Sequence, residues 1–354
     1  MDIGICVPSH VGDTGYVVRA EELGFSHAWM ADSQMLWSDC YAALALAADK
    51  TSTIQLGTGV AVSGTRPAPV NAASIATINA IAPGRTFFGV GAGNTAMRVM
   101  GLKPQRIREF GDYLRAIKPL LRGEEAESNG KPIRHIMPDR GFVNFDDPIP
   151  MYVSGFGPRS LGLAGALGDG AVLGGVPNTP GLMENTWRMI EQGATDAGRE
   201  LDRSTFYTTA LTAIAILEPG EAVDSVRVKS EVGAMVMASI HYQYDQFRNF
   251  GHQPGGAMAE IWEDYTAMLE AVPAERRHQR IHAGHNCWVI PEEERFVTPN
   301  LIERTCVVGS RDQVIERLSM AFESGLDQVM ILPNFDTRFA VLEKIGKAIV
   351  GNVA

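Results

Sequence analysis

Three short segments combine glycine with polar side chains, and a fourth sets an aspartate beside a serine, in patterns that suit ligand chemistry. Gly155-Phe156-Gly157-Pro158-Arg159-Ser160 follows a strand-like run ending at Ser154 and opens a helical one. Glycines there let backbone N–H groups approach a ligand closely, and a helix amino terminus attracts anions. Pro158 suits the first helical turn, where its missing N–H costs nothing. Arg159 and Ser160 would add a charge and a hydroxyl, so the segment reads as a phosphate cradle or as a plain strand-to-helix turn. The third glycine of a dinucleotide fingerprint is absent.

Gly89-Val90-Gly91-Ala92-Gly93-Asn94 closes another strand-like run. Its alternating glycines clear side chains from one face, which serves either a flat ligand or a close helix–strand contact. Gly57-Thr58-Gly59-Val60 ends a run in the same way, with Ser63 and Thr65 beyond it; a bulge or a plain loop fits there. Asp32 and Ser33 follow a further run, and Asp32 reads as a base, a polar anchor or a loop cap. His278, His282 and His285 stand at i, i+4 and i+7, a spacing that would put three imidazoles on one helical face as for zinc. No H-E-x-x-H accompanies them, Arg276, Arg277 and Arg280 crowd the segment, and a surface helix or lid is the default reading. With no G-x-S-x-G elbow, serine-hydrolase chemistry has no motif behind it.

The elements that must position these residues alternate along the chain. Ile3–Val7, the run around Ala28–Met30, Ile54–Val60, Thr86–Val90, Ile149–Ser154, Ala171–Leu173, Tyr207–Leu217 and Val329–Leu332 read as eight strands. Between them lie helical patterns, among them Tyr41–Lys50, Val70–Ile81, the face Ile107, Phe110, Leu114, Ile117 and Leu121, Ser160–Leu167 and Leu182–Ala197. Ser310 with Gln313 forms a capping box, and Phe339, Leu342, Ile345 and Ile349 line a last helix. Strict alternation predicts a parallel sheet with right-handed crossovers, and eight repeats predict an α/β fold, a (β/α)8 TIM barrel. Barrel enzymes place their sites at the carboxyl ends of the strands, where the four segments fall. We expect one barrel domain over 1–354 with excursions at 124–148 and 240–299, the second with helical pieces at Met258–Ala271 and Glu275–His285 and a candidate lid.

Composition narrows the function classes. With 31 Lys+Arg against 41 Asp+Glu, the formal charge of −10 argues against non-specific binding to nucleic acid or an anionic membrane. Cys6, Cys40, Cys287 and Cys306 form no C-x-x-C pair and read as reduced thiols. The opening residues lack a signal-peptide pattern and no long apolar run follows, so a cytoplasmic protein is expected.

In order, the strand-end segments resemble the bacterial luciferase-like superfamily of flavin- and deazaflavin-dependent oxidoreductases. The matching pieces are Gly24 to Asp32, Ile54 to Val60, Arg66-Pro67 with Pro69, Pro83-Gly84-Arg85, the glycine-rich fourth strand and Gly101-Leu102-Lys103-Pro104. Pro150 to Ser160 with Gly165 and Asp169-Gly170, then Gly309-Ser310 and Gly325, complete the set. The resemblance implies a reduced flavin or deazaflavin at the carboxyl ends of the strands, bound by Gly59, Val60, Ser63, Gly93, Asn94 and Ser154 to Ser160, with Asp32 and Ser33 as catalytic candidates. It implies a non-proline cis peptide, placed at Gly59–Val60. Gly157-Pro158, Gly165 and Asp169-Gly170 look like the branch that uses coenzyme F420, which would pass a hydride to or from a small organic substrate. The alternative is a monooxygenase using reduced FMN and oxygen, served by a separate reductase; a remoter one is a non-catalytic or metal-binding barrel. A homodimer or higher homo-oligomer is implied in either case. Where the deazaflavin branch usually carries Asp-His, this chain has Asp32-Ser33, and Asn94 stands where a carboxylate is frequent.

Overall fold

Tyr16, Val17 and Ala20 turn inward from the helix Thr14–Glu22, and Gly24, at φ +84°, stops it before the next strand. Only glycine adopts that conformation without a Cβ penalty, so the turn is written into the sequence. The same logic repeats around the molecule, a computed structural model describing residues 1–128 and 130–353. Eight strands, Asp2–Val7, His27–Met30, Gln55–Val62, Thr86–Gly91, Met151–Ser154, Gly170–Leu173, Tyr207–Thr212 and Gln328–Ile331, close a barrel in chain order. From the first strand to the seventh, each neighbouring pair is parallel. The helices Cys40–Lys50, Ala68–Ile81, Ile107–Leu120, Pro158–Leu167 and Pro180–Asp196 make crossovers between them. The (β/α)8 expectation holds.

An aromatic layer fills the interior. Trp29 and Phe87 have ring centroids 4.3 Å apart, Phe87 and Tyr152 5.6 Å, Tyr152 and Tyr207 5.3 Å, and Tyr207 and His27 5.4 Å. Trp29 Nε1 donates to Gln328 Oε1 at 2.8 Å, which satisfies the indole N–H that burial would otherwise orphan. Burial holds His27 down to a pKa of about 4 against the pull of Asp2, so it packs as a neutral ring.

The chain forms two compact units. One comprises Met1–Met97, Lys103–Leu211 and Met320–Met330 and carries the barrel; the other comprises Arg98–Leu102, Thr212–Ser319 and the stretch from Ile331 onward. The seventh strand is shorter than expected: Tyr207–Leu217 divides after Thr212, and Ile214–Ile216 pairs in parallel with Val307–Gly309 in the second unit. A continuous apolar run carries no periodic mark of such a break. The helices Asn94–Val99, Val226–Phe250 and Pro299–Thr305 also lie beyond the expected elements. Within the excursion at 124–148, Ala126–Ser128 pairs antiparallel with Lys131–Ile133, and a 3-10 turn lies at Pro138–Arg140.

The 240–299 segment is mostly helical. Ala257–Glu270 matches the expected piece, whereas Glu275–His285 shrinks to Arg277–Arg280. The chain leaves the helix before His282, so the i, i+4, i+7 alignment of His278, His282 and His285 is not formed. Among the described residues no group of three or more His, Cys, Asp or Glu is arranged to hold a metal ion. Instead a buried polar cluster forms, with His241 Nε2 3.3 Å from Glu293 Oε2 and Arg280 Nη1 2.8 Å from Glu293 Oε1. Among the described residues no helix is long and apolar enough to cross a membrane.

Candidate active site

Strands two to five are neighbours in the barrel, and their carboxyl ends carry Asp32–Ser33, Gly57–Val60, Gly89–Asn94 and Gly155–Ser160. The third strand is the centre of the group. Its peptide Gly59–Val60 is cis, as the resemblance implied. Pairing with the fourth strand slips between Thr58 and Ala61, a bulge that re-aims the backbone there. Gly59 and Val60 are part-exposed, while Leu56, Gly57 and Thr58 before them and Ala61, Val62 and Ser63 after them are buried. An accessible patch of backbone therefore interrupts an otherwise sealed strand.

The glycines around this patch mainly allow close packing. A Cβ on Gly89 would stand 2.2 Å from Thr58 O and 3.0 Å from the Trp29 ring, and one on Gly59 2.5 Å from Trp29 Cβ. On Gly93 it would meet Val62 Cγ1 at 2.4 Å. On Gly91 it would lie 3.0 Å from Val60 Cγ2 and 3.5 Å from Ser154 Cβ, which brings the ends of strands three, four and five together. Asn94 begins the short helix that follows.

Hydrogen bonds tie the loops to one another. Ser63 N donates to Gly91 O at 3.1 Å, and the Ser63 hydroxyl sits 3.0 Å from the same carbonyl and 2.7 Å from Gln105 Oε1. Gln105 N in turn reaches Ala92 O at 3.1 Å. Asp32 is buried, and its carboxylate accepts from Gln34 Nε2 at 2.6 Å, Val62 N at 3.2 Å and Arg66 Nη1 at 2.6 Å. Its oxygens are thus engaged in holding the end of the third strand. Ser33 is buried beside it, and its carbonyl accepts from Leu36 N at 3.2 Å and Trp37 N at 3.3 Å in a tight turn.

After the fifth strand, Ser160 Oγ accepts from Phe156 N at 3.2 Å and Gly157 N at 3.3 Å and lies 3.1 Å from Gly157 O. The serine hydroxyl closes the turn that the sequence offered as a cradle. Pro158 starts the helix, Arg159 is exposed, and a Cβ on Gly157 would meet nothing within 4 Å. The helix start is therefore open, with a cation beside it. Phe156, 56% exposed, lays its ring over Gly174.

Arg66, Asp39 and Gln105 join the site although no motif chemistry marked them. The only sequence trace of Arg66 was its place in the Arg66-Pro67 pair of the resemblance.

Residues 11–328 match the family described as luciferase-like monooxygenase. The chain belongs to that family. It is 27% identical to the 5,10-methylenetetrahydromethanopterin reductase of Archaeoglobus fulgidus over 338 residues, 95% of this chain and 93% of the relative. It is 27% identical to the F420-dependent glucose-6-phosphate dehydrogenase of Kineococcus radiotolerans over 303 residues, 80% of this chain and 88% of that one. Among solved structures, the coenzyme F420-dependent tetrahydromethanopterin reductase of Methanopyrus kandleri matches with a TM-score of 0.69 at 20% identity, covering all of both chains. That likeness shows the fold alone.

Proposed function

We propose that this luciferase-like chain is an oxidoreductase that transfers a hydride between reduced coenzyme F420 and a small organic substrate. The observation that carries the reading is the part-exposed Gly59–Val60 backbone between buried neighbours, framed by Asp32, Ser63, Gly91–Asn94 and Ser154. The relative named as an F420-dependent dehydrogenase, aligned along 80% of this chain, supports the choice of cofactor.

The residues present fit such a group. A flat ring needs a wall without projecting side chains, and the third-strand patch supplies one. The open helix start at Gly157–Pro158 with exposed Arg159 suits an anionic tail, because first-turn N–H groups have no partner within the helix. When bound, the reduced deazaflavin supplies the hydride from a ring carbon. The chain's own part is orientation. Asp32 holds the Val62 N–H and so the wall, Ser63 joins the third strand to the fourth, and Ser160 keeps the turn at Phe156 and Gly157 closed. With Ser33 in place of a histidine and Asp32 engaged by three donors, the protein contributes geometry more than proton transfer. Assembly as a homodimer or higher homo-oligomer belongs to the same proposal and is read by light scattering.

Anaerobic titration of the pure protein with reduced F420 and with reduced FMN, followed by fluorescence, tests the assignment. Tight binding of reduced F420 and substrate turnover without oxygen are expected. Tight binding of reduced FMN alone, with turnover only in oxygen, overturns it in favour of a monooxygenase.

A further inference from the structure

Arg66 lies in the loop after the third strand, and its guanidinium is shared between two carboxylates. Nη1 donates to Asp32 Oδ2 at 2.6 Å and Nη2 to Asp39 Oδ2 at 2.7 Å. The Arg66 side chain is 17% exposed and that of Asp32 2%, so the inner contact is largely shielded from water, while Asp39 at 54% sits on the rim. Asp39 also caps the helix Cys40–Lys50 by accepting from Tyr41 N and Ala42 N, both at 3.0 Å. The guanidinium stands 5.2 Å above the Tyr41 ring. From there Tyr41 OH donates to Asn71 Oδ1 at 2.8 Å, and Asn71 Nδ2 donates to Tyr113 OH at 2.6 Å. Burial pushes both phenols up, so they remain protonated.

These contacts join parts of the chain that are far apart in sequence. The same Asp32 oxygen that takes Arg66 also takes the Val62 N–H at 3.2 Å. Without Arg66, that buried carboxylate would be left without its cation, and it relaxes by moving toward water. That movement loosens the Val62 bond and with it the wall at Gly59–Val60. A planar fork reaches two carboxylates at once, which a lysine ammonium in the same place does not reproduce.

We propose that Arg66 is the positioning residue of this site: it fixes Asp32 and, through Asp32, the backbone from Val60 to Val62. The proposal rests on the hydride-transfer reading of the same site, and its test separates the two.

Arg66→Ala and Arg66→Lys are made in the full chain and compared in two ways. The first is hydrogen exchange without cofactor, over peptides covering 31–39 and 59–66. In Arg66→Ala the amides of 59–66 exchange about tenfold faster, those of Tyr207–Thr212 are unchanged, and Arg66→Lys restores only part of the protection. If Arg66→Ala does not fold, Arg66→Lys carries the same readout, with intermediate protection expected. Unchanged exchange over 59–66 in the folded variant overturns the proposal, whichever cofactor binds.

The second is anaerobic titration with reduced F420 and reduced FMN, reading affinity and the spectrum of the bound ring. Arg66→Ala weakens binding about tenfold and moves the bound spectrum toward that of the free cofactor. Arg203→Ala, which removes exposed ion pairs with Glu184 and Glu191, changes neither. Tight wild-type binding with an unaltered affinity and spectrum in Arg66→Ala overturns the proposal. Failure of the wild type to bind either cofactor overturns the hydride-transfer reading instead, and the exchange result then decides on Arg66.

Discussion

Acid should unfold this protein through its buried histidines, and His282 offers the cleanest measurement. The residue is 2% exposed, and neither ring nitrogen has a hydrogen-bond partner. Burial, and then the charges of His241, Arg98 and His278, hold its pKa down to about 3 from an ordinary 6.5. A base whose folded pKa is depressed contributes stability that is full above the unfolded value and lost as pH falls toward the folded one. At pH 5 the unfolded chain carries nearly a whole extra proton on this ring, and the folded chain almost none. Linkage then gives a loss of about 2 kcal/mol between pH 8 and pH 5. The assay is urea unfolding of wild type and His282→Gln at both pH values, comparing the drop within each protein. Wild type should lose about 2 kcal/mol more than the variant. Equal losses would refute the reasoning, since they would mean that His282 takes up its proton without unfolding. His27 in the barrel has the same sign, with a folded value of about 4, and His27→Gln should remove a comparable loss.

Arg159→Ala should weaken the complete cofactor more than a form lacking its phosphate, by about 1.5–3 kcal/mol in competition titrations, and equal weakening would remove Arg159 from phosphate recognition. Gly89→Ala forces a Cβ to within 2.2 Å of Thr58 O, so thermal unfolding should show a loss of about 1–3 kcal/mol or more; an unshifted midpoint would mean that the barrel wall yields easily. Asp32→Ala should weaken cofactor binding at least as much as Arg66→Ala, about tenfold, and lower turnover with it, measured as titrated Kd and kcat, because the carboxylate holds the wall; unchanged affinity and rate would leave Asp32 as a loop cap alone.

The candidate site was readable where local chemistry writes it. Gly157-Pro158 announces a helix start, and Asp32 after a short apolar run announces a strand end, because turns and caps depend on residues a few positions apart. The partners of Asp32 were not readable. Arg66 and the Val62 N–H meet it only after strands two and three pair, at separations that no periodicity encodes. The glycines at 89 and 93 show the same limit: the pattern established that side chains had to be absent there, while the fold decided that Thr58, Val62 and Met97 fill the space.

The sequence by itself determined the alternation of strands and helices, the closed eight-strand order that follows from it, and the end of the barrel at which the polar segments gather. Each of these rests on side-chain period, turn chemistry and the handedness of crossovers, which are local or nearly so. Tertiary structure alone decided that the run Tyr207–Leu217 serves two sheets, that His278, His282 and His285 do not share a helix face, and that the carboxylate of Asp32 is held by Arg66. In each case the choice depended on which distant surface was available to bury a group or to pair with it. That surface exists only once the rest of the chain has folded.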